Sequence, residues 1–293
     1  MTMPMQWALR RRMMMAATGI DVATLSINYN GAHQDYGVVQ MNDGDYRLLA
    51  FTSSGTLTID KPVNVEVCVV GGGANGNAEG DYGAGNKSLG GAGAYLKNQV
   101  IEAFEGGAVV VGAAQGASSI GGVSVAAVSG ASGGTGAGVH TFYAATGDGL
   151  SKYPFGDDSY ELWLGKPHCA GGAAGGYATR TAPTSSGADR YDTYQGGNGG
   201  TNGGNGGVAK QVGSKTASYY VSGGSGGSYG GGNGGAVAYA TATGGNATYY
   251  GSGAGGGGYY EYYHENSKTL AGGSGYQGIV YMRIPVNQSI LAA

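Results

Sequence analysis

Proline, cysteine and charge are all scarce in this chain. Of its 293 residues, 6 are proline, 2 are cysteine and 11% are charged. Scarce proline excludes a collagen-like chain, which also needs a strict Gly-X-Y period. Two distant cysteines, Cys68 and Cys169, do not make the disulfide framework of a small secreted scaffold. Two free thiols are expected, and a reducing cytoplasm is the default folding compartment. No apolar run reaches the roughly 18 residues of a membrane helix, so no membrane insertion is expected. A net charge of −3 offers no basic footprint for nucleic acid. Disordered chains combine high net charge with few aromatics, whereas 10% of this chain is aromatic.

What the chain has instead is glycine and tyrosine. Glycine fills 65 positions and tyrosine 23, against a usual glycine share of roughly 7%. An ordinary helical enzyme is excluded, because each interior glycine costs a helix about 1 kcal/mol. Glycine is also unevenly placed. Residues 1–66 hold 5 of the 65, and the rest follow. That shift suggests four parts: a leader or docking segment at 1–18, a β-rich part at 19–66, a glycine-rich domain at 67–286, and a tail at 287–293.

Thr2 to Ala17 is built of good helix formers, with Gly19 as a stop. Met5, Leu9 and Met13 share one face. A short N-terminal helix is expected, either a plain terminal helix or a docking peptide for a larger assembly. Arg10, Arg11 and Arg12 precede Met13 to Ala17, an apolar stretch too short for a secretory signal.

From Gly37 the pattern turns to β. Tyr46 to Phe51 is strand-like, Ser53-Ser54-Gly55 reads as a turn, and Thr56 to Ile59 alternates with period two. In Val63 to Val70 the odd-numbered valines take one face; Asn64, Glu66, Cys68 and Val70 take the other. Further short strands are expected at 94–101, 108–111, 123–128, 139–143 and 278–284.

The glycine tracts have a period. Gly197, Gly200, Gly203 and Gly206 recur every third residue. Gly224, Gly227 and Gly230 do the same, as do Gly272, Gly275 and Gly278, with a weaker run at Gly130, Gly133 and Gly136. Three is the period of a polyproline II-type helix. A row of glycine lets a neighbouring backbone approach within hydrogen-bonding distance. N–H and C=O groups unpaired within each helix would then pair between helices. The expected fold is therefore mostly β with irregular structure: a small antiparallel β base plus a bundle of polyglycine II helices, with the short N-terminal helix. The competing reading is a flexible linker. Tracts rich in Asn, Tyr and Thr, bracketed by strands, weigh against it.

The strand and tract residues together resemble the glycine-rich domains of phage and prophage tail proteins. The likeness runs from Phe51 to Ile59, through Val65 to Gly73, Gly90 to Leu96 and Val109 to Ala114, to Gly272 through Ile284. It covers about residues 40–286. The leader, Trp7 to Ala16, is similar to short leaders of gut-phage structural proteins. The resemblance implies a β base from which polyglycine II helices extend. It also implies a receptor-binding adhesin like those at the tips of T-even long tail fibres, where loops between tracts contact the bacterial surface. The expected partners are a bacterial surface receptor, glycan or protein, and other tail or virion proteins met through residues 1–18. A homo-oligomer stays open. The expected location is the virion, after assembly in the host cytoplasm. The alternative is a purely structural fibre, decoration or filament subunit without a receptor.

Several motifs are decoys. Gly71-Gly72-Gly73-Ala74-Asn75-Gly76 fits G-x-G-x-x-G after a strand, but no helix can follow in Asn77 to Gly85. Gly80 to Ser88 approaches a P-loop, yet Asn86 separates Gly85 from Lys87. His33, His140, His168 and His264 show no metal-ligand spacing. Asp157, Asp158 and Glu161 could supply paired carboxylates, but loop duty accounts for them. No enzyme, cofactor or metal is expected.

The tyrosines are the positive signal. Tyr219, Tyr220, Tyr249, Tyr250, Tyr259, Tyr260, Tyr262 and Tyr263, with His264, stand at the ends of glycine tracts. Binding loops favour Tyr with Gly, Ser and Asn, because aromatics give large contact area at low entropy cost. These nine are the expected receptor-binding residues. The competing role is to cover the sides of a bundle poor in other apolar groups.

Overall fold

The computed structural model describes residues 19–76, 91, 93–128, 153–164, 166, 168, 169, 172, 177–181, 190–194, 209–211, 219–221, 237–238, 244–256, 259–261, 268–269 and 271–289. The expected N-terminal helix, the strand at 139–143 and the tracts at 130–136, 197–206 and 224–230 lie outside them.

The described part is mostly antiparallel β-sheet. In chain order the first strands are β1 (Gly19–Ile20), β2 (Ile27–Tyr29), β3 (His33–Met41), β4 (Gly44–Phe51), β5 (Gly55–Val70), β6 (Leu96–Val110), β7 (Ser118–Ile120) and β8 (Val123–Val125). Then come β9 (Tyr177–Thr181), β10 (Arg190–Tyr194), β11 (Ala209–Gln211), β12 (Tyr219–Val221), β13 (Val237–Ala238), β14 (Tyr259–Glu261), β15 (Lys268–Thr269), β16 (Ile279–Pro285) and β17 (Gln288–Ser289). The main sheet has the order β3-β4-β16-β5-β6-β7-β8, with β2 added to β5. β17 returns to pair with β1.

Alternation along the strands builds two cores. Odd residues of β5 (Leu57, Ile59, Val63, Val65, Val67, Val69) bury against Phe51, Val280 and Met282 on one face. Cys68 and Val70 bury on the other, with Leu48, Ile279, Tyr281 and Trp163. Each such side chain contributes roughly 1.5–3 kcal/mol on burial. The division of Val63 to Val70 into two faces is the one its sequence pattern gives.

Several strand boundaries differ from the sequence pattern. Thr56 to Ile59 and Val63 to Val70 are one strand, β5. Its register with β6 shifts between Thr58 and Val63. Pro62, which cannot donate to a ladder, stands in that irregular stretch. Likewise 94–101 and 108–111 are joined in β6. The chain accommodates this with positive φ at Ala103, Gly106 and Gly107. β3 begins at His33, earlier than the alternation alone indicates.

The position of β16 organises everything after β5. Val70 ends β5 and Ile279 begins β16, and the two are ladder partners. The chain therefore leaves the sheet after Val70 and, once β6, β7 and β8 have joined that sheet, its strand β16 enters beside the point of exit. The extended glycine-rich segments described there bond to one another. Gly244 and Ala247 donate to the carbonyls of Ala271 and Ser274, three residues apart on both sides. Gly73 and Gly76 donate to Tyr276 and Gly273, and Gly91 and Ala94 donate to Ala254 and Gly251, in the opposite sense. Segment 271–278 also donates to Gly255, Ser252 and Gly112. It thus has backbone partners on more than the two sides a strand offers.

Glycine is required there by distance. A Cβ at Gly272, Gly275 or Gly278 would lie 2.1 Å from the carbonyl oxygen of Gly76, Gly73 or Val70 respectively. The threefold period read in the sequence is answered by a threefold period in the facing segment. The tract asparagines take part too. Asn75 Oδ1 accepts from the Gly275 N–H and Asn246 Oδ1 from the Ser274 N–H, at 2.9 and 2.8 Å.

Candidate functional site

The best-defined aromatic site begins at a turn. The Ser252 N–H donates to the Tyr249 carbonyl at 3.0 Å, and Gly251 has φ +68°. That is the glycine position of a type II turn. The segments on either side run back along each other, the Gly255 N–H donating to the Gly245 carbonyl. Tyr249 and Tyr250 thus occupy a reversal between two glycine-rich segments.

This reversal lies against the β base. Gly251 is tight against Val70 and Cys169. The His168 ring lies 4.9 Å from Tyr249, 6.0 Å from Tyr250 in a stacked arrangement, and 5.6 Å from Tyr281 of β16. Tyr281 in turn meets Trp163 edge-on at 5.4 Å, and Tyr250 meets Tyr276 at 5.5 Å. Tyr249, Tyr250 and Tyr276 are partly buried, while Tyr36 of β3 is exposed.

Burial controls the chemistry of the group. His168 is fully buried. Its Nε2 pairs with the Tyr281 hydroxyl at 3.0 Å, and its Nδ1 has no partner among the described residues. Burial lowers its pKa to about 3, so it is neutral at pH 7. Burial pushes Tyr249 up to about 12, with Tyr250 and Tyr36 adding to it. Burial also raises the Cys68 thiol to about 12. None of these groups exchanges a proton near neutral pH. They offer ring surface and hydroxyl hydrogen bonds.

Two polar features stand nearby. Arg283 of β16 is buried, donating to both oxygens of Asp43 and to Glu66 Oε2 at 2.6–2.9 Å. Its guanidinium lies over the rings of Tyr46 and Phe155, at 4.0 and 4.5 Å. Burial opposes its charge, but the Asp43 and Glu66 bonds outweigh that and raise its pKa. Asp157 is also buried. Burial raises its pKa, and bonds from Ser159, Asn42 and Tyr160 reverse the balance and lower it. Asp157 holds a loop closed and caps the Trp163 indole through its carbonyl, which accounts for the carboxylate in structural terms. The G-x-G-x-x-G decoy is equally occupied. The N–H groups of Gly71, Gly72, Gly73 and Gly76 donate to backbone carbonyls, so these four are not free for a phosphate.

The nine predicted tyrosine and histidine positions do not form one described cluster. Tyr249 and Tyr250 belong to the turn. Tyr219 and Tyr220 lie on β12, between β11 and β13 in a three-stranded sheet. Tyr259 and Tyr260 lie on β14 of a four-stranded sheet ordered β10-β9-β14-β15. Tyr262, Tyr263 and His264 lie outside the described residues. The sequence reading missed His168, Trp163 and Tyr281, which are scattered in sequence and meet only through the return of β16. It also missed β9 and β10, although the alternating Thr and Tyr of 177–181 and 190–194 carry a β signal.

No family model, no curated protein and no solved structure matches this chain.

Proposed function

We propose that the chain is a non-enzymatic phage or prophage tail-associated adhesin. In this reading its glycine-rich segments form a polyglycine II bundle seated on the β base. Tyrosine-bearing reversals and strands between those segments contact a receptor on the bacterial surface. Residues 1–18 dock the chain onto other virion proteins. The observation that carries the reading is the backbone pairing among non-strand segments at three-residue intervals, with glycine at the closest approaches, Gly272, Gly275 and Gly278 among them. Such a scaffold uses backbone as packing material and leaves side-chain chemistry to its reversals. The strand and tract order resembles that of glycine-rich tail proteins.

The experiment is adsorption of the purified, labelled chain to a panel of whole bacteria. The joint replacement of Tyr259, Tyr260, Tyr262 and Tyr263 by Ala should abolish adsorption while leaving the fold. Undiminished adsorption of that variant contradicts the site, and a wild-type chain that adsorbs to no cell contradicts the adhesin reading.

A second reading, a structural fibre or decoration subunit, draws on one observation. Tyr249 and Tyr250 pack inward on His168, as residues that cover a bundle do. Ordered polymers without cell binding, seen by electron microscopy, would favour it.

A further inference from the structure

We infer that the cleft between the β3–β4 hairpin and the loop at 157–161 holds a neutral glycan segment, with Tyr36 as its stacking surface and Glu161 as its carboxylate acceptor. The inference rests on the adhesin reading, to which it adds a ligand class and a contact on the β base.

Hairpin and loop build the cleft together. Its volume is about 450 Å³, within the roughly 300–1,000 Å³ of small-ligand sites. β3 supplies Val39 and Met41 to its lining, and the loop supplies Ser159, Tyr160 and Glu161. Asp157 ties the loop to the hairpin. Its carboxylate accepts from the N–H groups of Asn42, Ser159 and Tyr160 and from the Ser159 hydroxyl, at 2.7–3.1 Å. The Tyr160 ring is set edge-on against buried Trp163 at 4.8 Å. The walls are thus fixed before a ligand arrives, which lowers the cost of binding.

The polar lining is open to solvent. Gln40, Asn42, Ser159 and Glu161 all line the cleft and are all exposed. Tyr36 of β3 is 38% exposed. Burial is the main cause that raises the Tyr160 pKa, and Glu161, Tyr36 and Asp157 add to it. The Tyr36 and Glu161 side chains thus both lie near the Tyr160 hydroxyl. At Tyr249 and Tyr250 burial is again the main cause of a raised pKa, and Tyr36 again contributes. Tyr36 is therefore close both to the cleft and to the glycine-rich reversal.

These groups suit a sugar chain. An exposed aromatic ring gives flat apolar area at low entropy cost, and a pyranose offers it a C–H face. The Gln40 and Asn42 amides both donate and accept, as sugar hydroxyls do. Glu161 accepts from a hydroxyl, and hydrogen bonds to an ionised acceptor are the stronger kind. Among the described residues no basic side chain lines the cleft. A phosphate-rich or uronate-rich polymer would meet carboxylates there and no counter-charge. A simple cation is served poorly too. The Asp157 oxygens are taken by internal donors, and one exposed carboxylate holds a cation by about 1 kcal/mol or less. The occupant is therefore an uncharged glycan segment.

The test is affinity electrophoresis of the full chain through gels containing a neutral glucan, a neutral mannan, a neutral galactan or the polyanion alginate. At least one neutral polymer should retard the wild-type chain, and alginate should not. Tyr36→Ala removes the stacking ring and should weaken retardation about tenfold. Glu161→Gln keeps the shape but loses the charged acceptor, and should weaken it about fivefold. Tyr95 is an equally exposed tyrosine beside β6, and β4, β16 and β5 stand between β6 and β3. Tyr95→Ala should stay within about twofold of wild type. Circular dichroism checks each variant; if Tyr36→Ala unfolds, Glu161→Gln against Tyr95→Ala decides the matter. The inference is overturned if no neutral polymer retards the wild type, or if alginate retards it more than the neutral polymers do. It is also overturned if Tyr36→Ala and Glu161→Gln lose no more than Tyr95→Ala. Whole-cell adsorption separates the two claims. Adsorption of the wild type without retardation in any neutral gel removes the glycan cleft and leaves the adhesin. Retardation that Tyr36→Ala weakens, without adsorption to any cell, supports the cleft and removes the adhesin.

Discussion

Replacing Gly275 by Ala adds one methyl group at a place where backbone faces backbone. The new Cβ would lie 2.1 Å from the Gly73 carbonyl oxygen, 2.6 Å from its carbon and 2.7 Å from the Ala74 oxygen. No side chain can swing aside, so the two segments must separate. Overpacking of this kind costs about 1–3 kcal/mol. Separation also stretches two bonds, from the Gly275 N–H to Asn75 Oδ1 and from the Gly73 N–H to the Tyr276 carbonyl, both 2.9 Å. Each contributes about 1 kcal/mol net. Loss of glycine's freedom in the unfolded chain offsets about 0.4–1 kcal/mol. The expected net loss is about 3 kcal/mol. At about 2–3 kcal/mol per molar urea, the unfolding midpoint falls by about 1 M, read by the fluorescence of buried Trp163. The neighbouring Ser274 is exposed, and Ser274→Ala should stay within about 0.5 kcal/mol of wild type. A Gly275→Ala midpoint matching that of Ser274→Ala would refute the close-packed backbone.

His168 sets a pH dependence. Its folded pKa, about 3, is below the unfolded value of about 6.5. The folded state thus binds fewer protons between those values. Stability from this group is full above about pH 6.5 and is lost as pH falls towards 3, a swing of roughly 5 kcal/mol. His168→Phe should flatten that part of a urea-midpoint profile measured from pH 4 to 7.5; an unchanged slope contradicts the assignment. Arg283→Lys keeps the charge but loses the planar fork that meets Asp43 and Glu66. Because both acids are partly exposed, the expected loss is only about 2 kcal/mol by urea unfolding.

The sequence carried local order well and long-range assembly poorly. The two faces of Val63 to Val70 were legible because alternation is a property of neighbours in the chain. So was the Gly272, Gly275, Gly278 row, since a threefold period needs no partner to be seen. The joining of Thr56–Ile59 to Val63–Val70 was hidden by Pro62, a residue that usually ends a strand and here sits in a shifted register. The His168–Tyr281–Trp163 cluster was hidden for another reason. Its members are brought together by β16 entering between β4 and β5, and nothing local announces that insertion. The adjacent tyrosine pairs were visible, but their separation into a turn at Tyr249–Tyr250 and a strand at Tyr259–Tyr260 depends on pairings between distant segments.

Amide hydrogen exchange of the isotope-labelled chain tests the central claim, that glycine here is ordered packing material. The N–H groups of Gly73, Gly76, Gly244, Gly251, Gly255, Gly273 and Gly278 all donate to backbone carbonyls outside any strand ladder. They should be protected at least about a thousandfold, an opening free energy of about 4 kcal/mol, alongside the amides of β5 and β16. Exchange of these glycines at the rate of an unstructured peptide, with β5 and β16 still protected, would contradict the account.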